Sequence, residues 1–170
     1  MLYISLAQAD KIFRENNKAV VVVIAFDDKG KPISQGSGFI VREDGAIVTN
    51  YHVISNAVDI KVKAGEKILE IEGFLHTDKE NDLVILKVKG ERLQTVKIGN
   101  IEKVDIGEKV YVISSPEGLE NTISDGIRVR KDSDALFGRC KNHLSGRLCD
   151  CLFNFYQIAN ASSSILARFM

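Results

Sequence analysis

Apolar residues in the first half of the chain fall in short runs between turn-forming residues, which is the pattern of β-strands. The run at residues 19–26 is rich in β-branched side chains and ends at Asp27-Asp28-Lys29-Gly30, a turn signal. Glycines at 36 and 38 open the next run and favour a close backbone approach. Six strands are predicted, at residues 19–26, 36–41, 46–48, 58–62, 67–75 and 83–88. Hairpin-like connections join them, so we expect one antiparallel barrel.

A different pattern precedes these strands. Between residues 6 and 18, apolar side chains recur at helical spacing with charges between them, which predicts a short amphipathic helix. Ala7-Gln8-Ala9 also matches the small-residue pattern of a signal-peptide cleavage site, but the apolar stretch before it is short and has no basic flank. Residues 1–18 are therefore interpreted either as an N-terminal helix or as the remnant of an export signal.

Two more strands are predicted after the barrel, at residues 107–114 and 122–129, with Ser115-Pro116-Glu117-Gly118-Leu119 as a turn between them. They are interpreted as the start of a second barrel. The predicted fold is all-β: a complete first barrel at 19–99, an incomplete second barrel at 100–129, and an atypical tail at 130–170.

Charge and hydropathy narrow the classes of function. Lysine plus arginine number 23 and so do aspartate plus glutamate, and the two signs are interspersed. No overall field directs the chain to nucleic acid or to an anionic membrane. An apolar fraction of 45% is enough for a core, and no apolar run has membrane-spanning length.

Two polar residues at strand ends carry the candidate chemistry. His52 follows the strand at 46–48, and Asp82 stands immediately before the strand at 83–88, so the two can meet across a small barrel. A carboxylate beside a histidine holds the imidazole in one tautomer and stabilises its protonated form, as a general base for a serine or cysteine nucleophile requires. His76 is interpreted as a surface residue in the turn before the Asp82 strand.

Three ordered stretches resemble motifs of the trypsin-like serine peptidases, and among them the bacterial HtrA (Deg) branch. The resemblance runs from about residue 19 to about residue 127. These stretches are Gly36-Ser37-Gly38-Phe39, Thr49-Asn50-Tyr51-His52-Val53 and Asp82-Leu83-Val84-Ile85-Leu86-Lys87. The resemblance implies a double β-barrel endopeptidase that cleaves unfolded or extended polypeptides, with His52 as general base and Asp82 as its orienting partner. It implies no metal and no organic cofactor. It favours export to the periplasm, while localisation and oligomeric state stay open.

The resemblance does not supply a nucleophile. The family's Gly-x-Ser-Gly-Gly loop, whose serine attacks and whose amides stabilise the oxyanion, occurs nowhere in the 170 residues. Ser37 lacks the Gly-x-Ser-x-Gly elbow and the helix that should follow it. Three interpretations follow: a serine endopeptidase chain that is truncated and inactive as written, a peptide-binding pseudo-protease, or an active enzyme with an unrecognised nucleophile.

The composition changes after about residue 127. All three cysteines lie beyond that point and no glutamate does, while arginine replaces lysine as the main basic residue. Valine survives there only as Val129. Several independent changes at one place favour a tail produced by a shifted reading frame or a truncation.

The tail also offers candidate ligands and nucleophiles. Its soft or borderline metal ligands are Cys140, His143, Cys149 and Cys151. Their spacing matches no standard zinc module, and an odd number of cysteines argues against a disulfide framework, so no metal site is predicted. The hydroxyl and thiol candidates that lack the glycines of an oxyanion loop are Cys140, Ser145, Ser162, Ser163 and Ser164.

Overall fold

The computed structural model describes residues 3–99, 104–115 and 121–128. Strands dominate these residues, and a helix precedes them. In chain order the elements are α1 (Tyr3–Asn16), a 3₁₀ helix (Asn17–Ala19), β1 (Val20–Phe26), β2 (Pro32–Arg42), β3 (Ala46–Thr49), α2 (Tyr51–Ile54), β4 (Asp59–Ala64), β5 (Lys67–Leu69), β6 (Ile71–Asp78), β7 (Leu83–Val88), β8 (Lys109–Ser114) and β9 (Thr122–Ile127). The all-β class and the short N-terminal helix are as predicted.

The first seven strands form one antiparallel sheet in the order β5-β4-β1-β2-β3-β7-β6. The strands at the two ends of this order, β5 and β6, are consecutive in the chain, because only Glu70 separates them. The sheet therefore curls back on itself, which removes the long open edges that a flat sheet would expose.

Each of the six predicted segments is present, and one of them is divided in two. The segment predicted at 67–75 pairs first with β4 and then with β7, so its hydrogen-bonding partner changes at Glu70. The backbone oxygen of Glu70 accepts the Lys89 N–H at 2.8 Å as the new pairing begins. Seven strands arise from six predicted segments because the segment at 67–75 pairs with two different strands, β4 and β7.

Strand β7 explains why one predicted strand is apolar at every position. Leu83, Val84, Ile85 and Leu86 are each 0% exposed. Successive side chains of a strand point to opposite faces, and those of β7 alternate between two separate apolar clusters. A strand covered on both faces needs no polar positions, unlike the half-exposed strands β4 and β6.

Beyond the curled sheet, β8 and β9 pair with each other as a two-stranded sheet, where the start of a second barrel is predicted. Polar contacts tie this pair to the first sheet and to the N-terminal segment. The Ser115 N–H donates to Ser37 Oγ at 3.1 Å, and Asn121 Nδ2 donates to the backbone oxygen of Asn17 at 2.7 Å. Residues 116–119 of the predicted turn, the last residue of the predicted strand at 122–129, and the tail at 130–170 lie outside the described residues.

Two local predictions are corrected. The N-terminal helix begins at Tyr3 rather than at residue 6. His76 lies within β6, half-buried opposite Ile85, and not in the turn, which starts only after Asp78. The register of the β6–β7 pairing shifts between Phe74 and His76. Strand β6 therefore continues although its alternation of apolar and polar residues is interrupted there. Among the described helices, none has the length and apolarity to cross a membrane.

Candidate catalytic site

His52 lies in a one-turn helix and not at the last residue of a strand. Strand β3 ends at Thr49, Asn50 is the N-cap, and α2 spans Tyr51–Ile54. Val53 and Ile54 are buried, whereas the His52 side chain is 50% exposed. The apolar residues of the turn anchor it on the barrel, and the imidazole is thereby presented at the surface.

A glycine in β2, Gly36, lets this helix pack closely against the strand. A Cβ built on Gly36 would lie 2.5 Å from Val53 Cγ2, a distance that a real carbon atom cannot occupy. Only the bare backbone of β2 lets Val53, and with it His52, come so close. At Gly36 the close approach is made by the Val53 side chain and not by a second backbone.

Asp82 occupies the turn between β6 and β7 in an unusual conformation. Its φ is +50°, in the left-handed region that aspartate tolerates better than most residues. Its backbone oxygen accepts the Tyr51 N–H at 3.1 Å and Asn50 Nδ2 at 3.1 Å. The residues at the start of α2 therefore bind the main chain of Asp82 as well as its side chain.

The Asp82 carboxylate faces three donors from the stretch 50–52. Oδ1 accepts the His52 N–H at 2.7 Å, and Oδ2 lies 2.6 Å from His52 Nδ1 and 3.2 Å from Asn50 Nδ2. An ionised carboxylate can only accept hydrogen bonds, so this contact favours the neutral tautomer that carries its proton on Nδ1 and keeps the lone pair on Nε2. The two predicted site residues, 30 positions apart in sequence, are thus brought into direct contact.

Asn50 is a member of the site that sequence reasoning missed. It is only 3% exposed, and its side-chain amide bridges the backbone and the carboxylate of Asp82. A buried amide without partners is costly, so these bonds define where Asp82 must sit. The available signal was the polar pair Thr49-Asn50 directly after an apolar strand.

Thr49 and Ser37 connect the histidine segment to the rest of the molecule. The fully buried Thr49 donates its hydroxyl to the backbone oxygen of Ser37 at 2.9 Å. The Ser37 hydroxyl accepts the Ser115 N–H, so it bridges toward β8. Ser37 therefore links the end of β3 to the residue that follows β8.

The part of the chain that the structure describes brings together no group of three or more histidine, cysteine, aspartate or glutamate side chains fit for a metal ion. The tail residues weighed as ligands or nucleophiles lie outside the described residues: Cys140, His143, Ser145, Cys149, Cys151, Ser162, Ser163 and Ser164.

The chain matches the trypsin-like peptidase domain family over residues 36–154, which is more than half of its length. The chain belongs to this family. The match includes Gly36, the helix that carries His52 and the turn that carries Asp82. It continues beyond residue 127 into the tail of different composition.

Individual relatives agree with this membership. A probable periplasmic serine endoprotease, DegP-like, of Pseudomonas putida strain F1 is 40% identical over 94 residues, which are 55% of this trypsin-like peptidase chain and 20% of the relative. An anti-sigma-I factor of Acetivibrio thermocellus is 35% identical over 111 residues, 64% of this chain and 16% of that protein. The chain thus spans about a fifth of the length of the curated relatives it matches.

A solved structure supports the fold. The serine endoprotease from Yersinia pestis superimposes with a TM-score of 0.65 at 30% sequence identity, over 72% of this chain and 44% of that one. The trypsin-like β-barrel fold class predicted from the motifs is therefore confirmed, as is the resemblance to the DegP-like branch of the trypsin-like peptidases.

Proposed function

We propose that His52 and Asp82 are the general base and the orienting carboxylate of a DegP-like serine endopeptidase. The supporting observation is the 2.6 Å contact between His52 Nδ1 and Asp82 Oδ2, together with an imidazole whose side chain is half exposed. The contact engages one ring nitrogen and leaves Nε2 as the acceptor for a proton from a nucleophile.

The chemistry follows from this arrangement. A serine hydroxyl beside Nε2 gives its proton to His52 while its oxygen attacks the substrate carbonyl. Asp82 stays ionised and stabilises the imidazolium that forms. His52 then returns the proton to the leaving amine, and water repeats the sequence on the acyl-enzyme. Proton transfer by a positioned base contributes about 10²- to 10⁴-fold to the rate.

The proposed substrates are unfolded or extended polypeptides, and the proposed organisation is a first barrel at 19–99 followed by part of a second barrel at 100–129. Residues 1–170 contain no Gly-x-Ser-Gly-Gly sequence. We infer that this chain by itself does not turn over peptide bonds, because the nucleophile and the paired amides of the oxyanion hole both come from that loop.

A second candidate is a peptide-binding domain without hydrolytic activity. The missing serine loop favours it, and one relative carries the name of an anti-sigma factor rather than of a peptidase. In this alternative the His52–Asp82 contact stabilises the barrel, and the surface around it binds extended peptides.

The first experiment treats the full chain with a fluorophosphonate probe and with casein. We expect no stoichiometric labelling and no turnover. Labelling in the tail that disappears in His52→Ala would refute the proposed inactivity, and it would also identify an active enzyme with an unusual nucleophile; the serines to inspect are Ser145, Ser162, Ser163 and Ser164. Fluorescence anisotropy with a labelled casein peptide then tests the binding alternative, since saturable binding without cleavage favours it.

The second experiment tests the role of the pair. If the tail reflects a shifted frame, the nucleotide sequence after about codon 127 encodes Gly-x-Ser-Gly-Gly in another frame. The repaired gene should yield a peptidase whose kcat falls by about 10⁴-fold in Asp82→Asn and by about 10⁶-fold in His52→Ala. Comparable activity in the repaired enzyme and in both variants contradicts the proposed roles, and the absence of an open alternative frame contradicts the frameshift.

A further inference from the structure

The turn between β6 and β7 is organised by a carboxylate outside the His52–Asp82 contact. Asp78 is the last residue of β6 and pairs with Leu83, the first residue of β7. Its Oδ1 accepts the Asn81 backbone N–H at 3.0 Å, and its Oδ2 accepts the Asn81 side-chain amide at 2.7 Å. Asn81 directly precedes Asp82, so these two bonds anchor the residue from which Asp82 departs.

Asp82 needs such an anchor because of its backbone. A φ of +50° brings Cβ close to the neighbouring carbonyl oxygen, which makes this conformation unfavourable for residues other than glycine. The bond that closes the turn, from the Asp82 N–H to the Lys79 backbone oxygen, is 3.4 Å long and therefore weak. The shorter Asp78 bonds are the stronger restraint on the turn.

We propose that Asp78 is a positioning residue that, by capping Asn81, holds Asp82 in the left-handed conformation from which its carboxylate reaches His52. Asp78 acts through its neighbours and touches no substrate. The inference rests on the proposed function only in assigning catalysis to the His52–Asp82 pair.

The ionisation of Asp78 supports this role. The Asn81 side-chain amide, followed by the Asn81 backbone N–H, lowers the pKa of the Asp78 carboxyl below its ordinary value, and His76 acts in the same direction. Asp78 is therefore an anion at neutral pH, the form that accepts hydrogen bonds most strongly.

The same barrel offers a matched control. Asp27 Oδ1 accepts the backbone N–H groups of Lys29 and Lys31, at 2.9 and 2.8 Å, in the turn between β1 and β2. Asp27→Ala thus removes a carboxylate cap with two bonds from a turn that carries no site residue. It reports the effect of losing a cap without any effect on Asp82.

The test measures the tautomer of His52 in the full chain by long-range ¹H–¹⁵N correlation NMR, at a pH where the imidazole is neutral. His52→Ala assigns the signal. We expect the Nδ1-protonated form to dominate in the wild type and in Asp27→Ala. In Asp78→Ala its ratio to the Nε2-protonated form should fall by about tenfold, the factor that corresponds to losing one hydrogen bond of ordinary strength.

An unchanged ratio in Asp78→Ala, or an equal fall in Asp27→Ala, overturns the positioning role and leaves the proposed function intact. A wild type without the Nδ1-protonated form overturns the pair itself. If Asp78→Ala does not fold, Asp78→Asn carries the test, because it keeps an oxygen for the backbone N–H and loses only the acceptor for the Asn81 amide. It should then show a smaller fall in the ratio, and no fall counts against the proposal.

Discussion

Replacing Asn50 by alanine removes two hydrogen bonds from Asp82 and leaves both members of the His52–Asp82 pair in the chain. One bond, 3.1 Å long, goes to the Asp82 backbone oxygen, and the other, 3.2 Å long, goes to the carboxylate. A neutral bond contributes about 1 kcal/mol and a bond to a charged group about 1.5 kcal/mol. The Asp82 backbone oxygen keeps the Tyr51 N–H as a donor, and Asp82 Oδ2 keeps His52 Nδ1. We therefore expect the free energy of unfolding to fall by about 2 kcal/mol.

The assay is urea unfolding of the full chain followed by circular dichroism, because the protein contains no tryptophan. The midpoint should fall and the m-value should stay constant. Asn16→Ala is the matched control, since Asn16 Nδ2 makes one bond, of 2.8 Å, to the backbone of its own helix. Its cost should stay below about 1 kcal/mol.

Asn50→Asp sharpens the test by adding a charge of known sign. The new carboxylate would lie beside Asp82 Oδ2, so repulsion raises its pKa in the folded state. The variant should be destabilised at neutral pH and recover as the pH falls through that raised pKa. If Asn50→Ala costs no more than Asn16→Ala, and Asn50→Asp is insensitive to pH, the view that Asn50 holds Asp82 is wrong.

Two further variants test the barrel and the turn. Gly45 has a φ of +97°, and an added Cβ would lie 2.3 Å from the Val88 backbone oxygen, whereas Gly65, at +57°, has open space. In thermal unfolding Gly45→Ala should cost about 3 kcal/mol or more and Gly65→Ala about 1 kcal/mol; equal costs would contradict the clash. The lowered pKa of Asp78 means that its stabilisation is present above its ordinary pKa of 3.8 and is lost as the pH falls through the lowered value. The stability difference between wild type and Asp78→Ala should therefore be constant from about pH 5 to pH 8 and shrink below about pH 4 in a urea series; a difference that persists in acid would rule this out.

Strand positions could be predicted because the residues of each strand carry a local signal, a run of β-branched or apolar side chains. The β-branched run of β1 and the fully apolar run of β7 are strand-like whatever surrounds them. The division at Glu70 and the strand position of His76 could not be predicted in the same way. They depend on which neighbour each residue pairs with, and a partner distant in the chain is invisible to a local pattern.

The sequence alone predicted which residues form the candidate site. Two of the three ordered motifs contain the residue types that the proposed chemistry requires, His52 and Asp82, and the family match to residues 36–154 spans both positions. Tertiary structure alone decided how the pair is held. It placed the Asp82 backbone in the left-handed region. It also buried Asn50 beside Asp82 and packed the His52 helix closely against Gly36. Each of these depends on atoms brought together across the barrel from positions far apart in the chain, where the energies of burial and hydrogen bonding outweigh local preference.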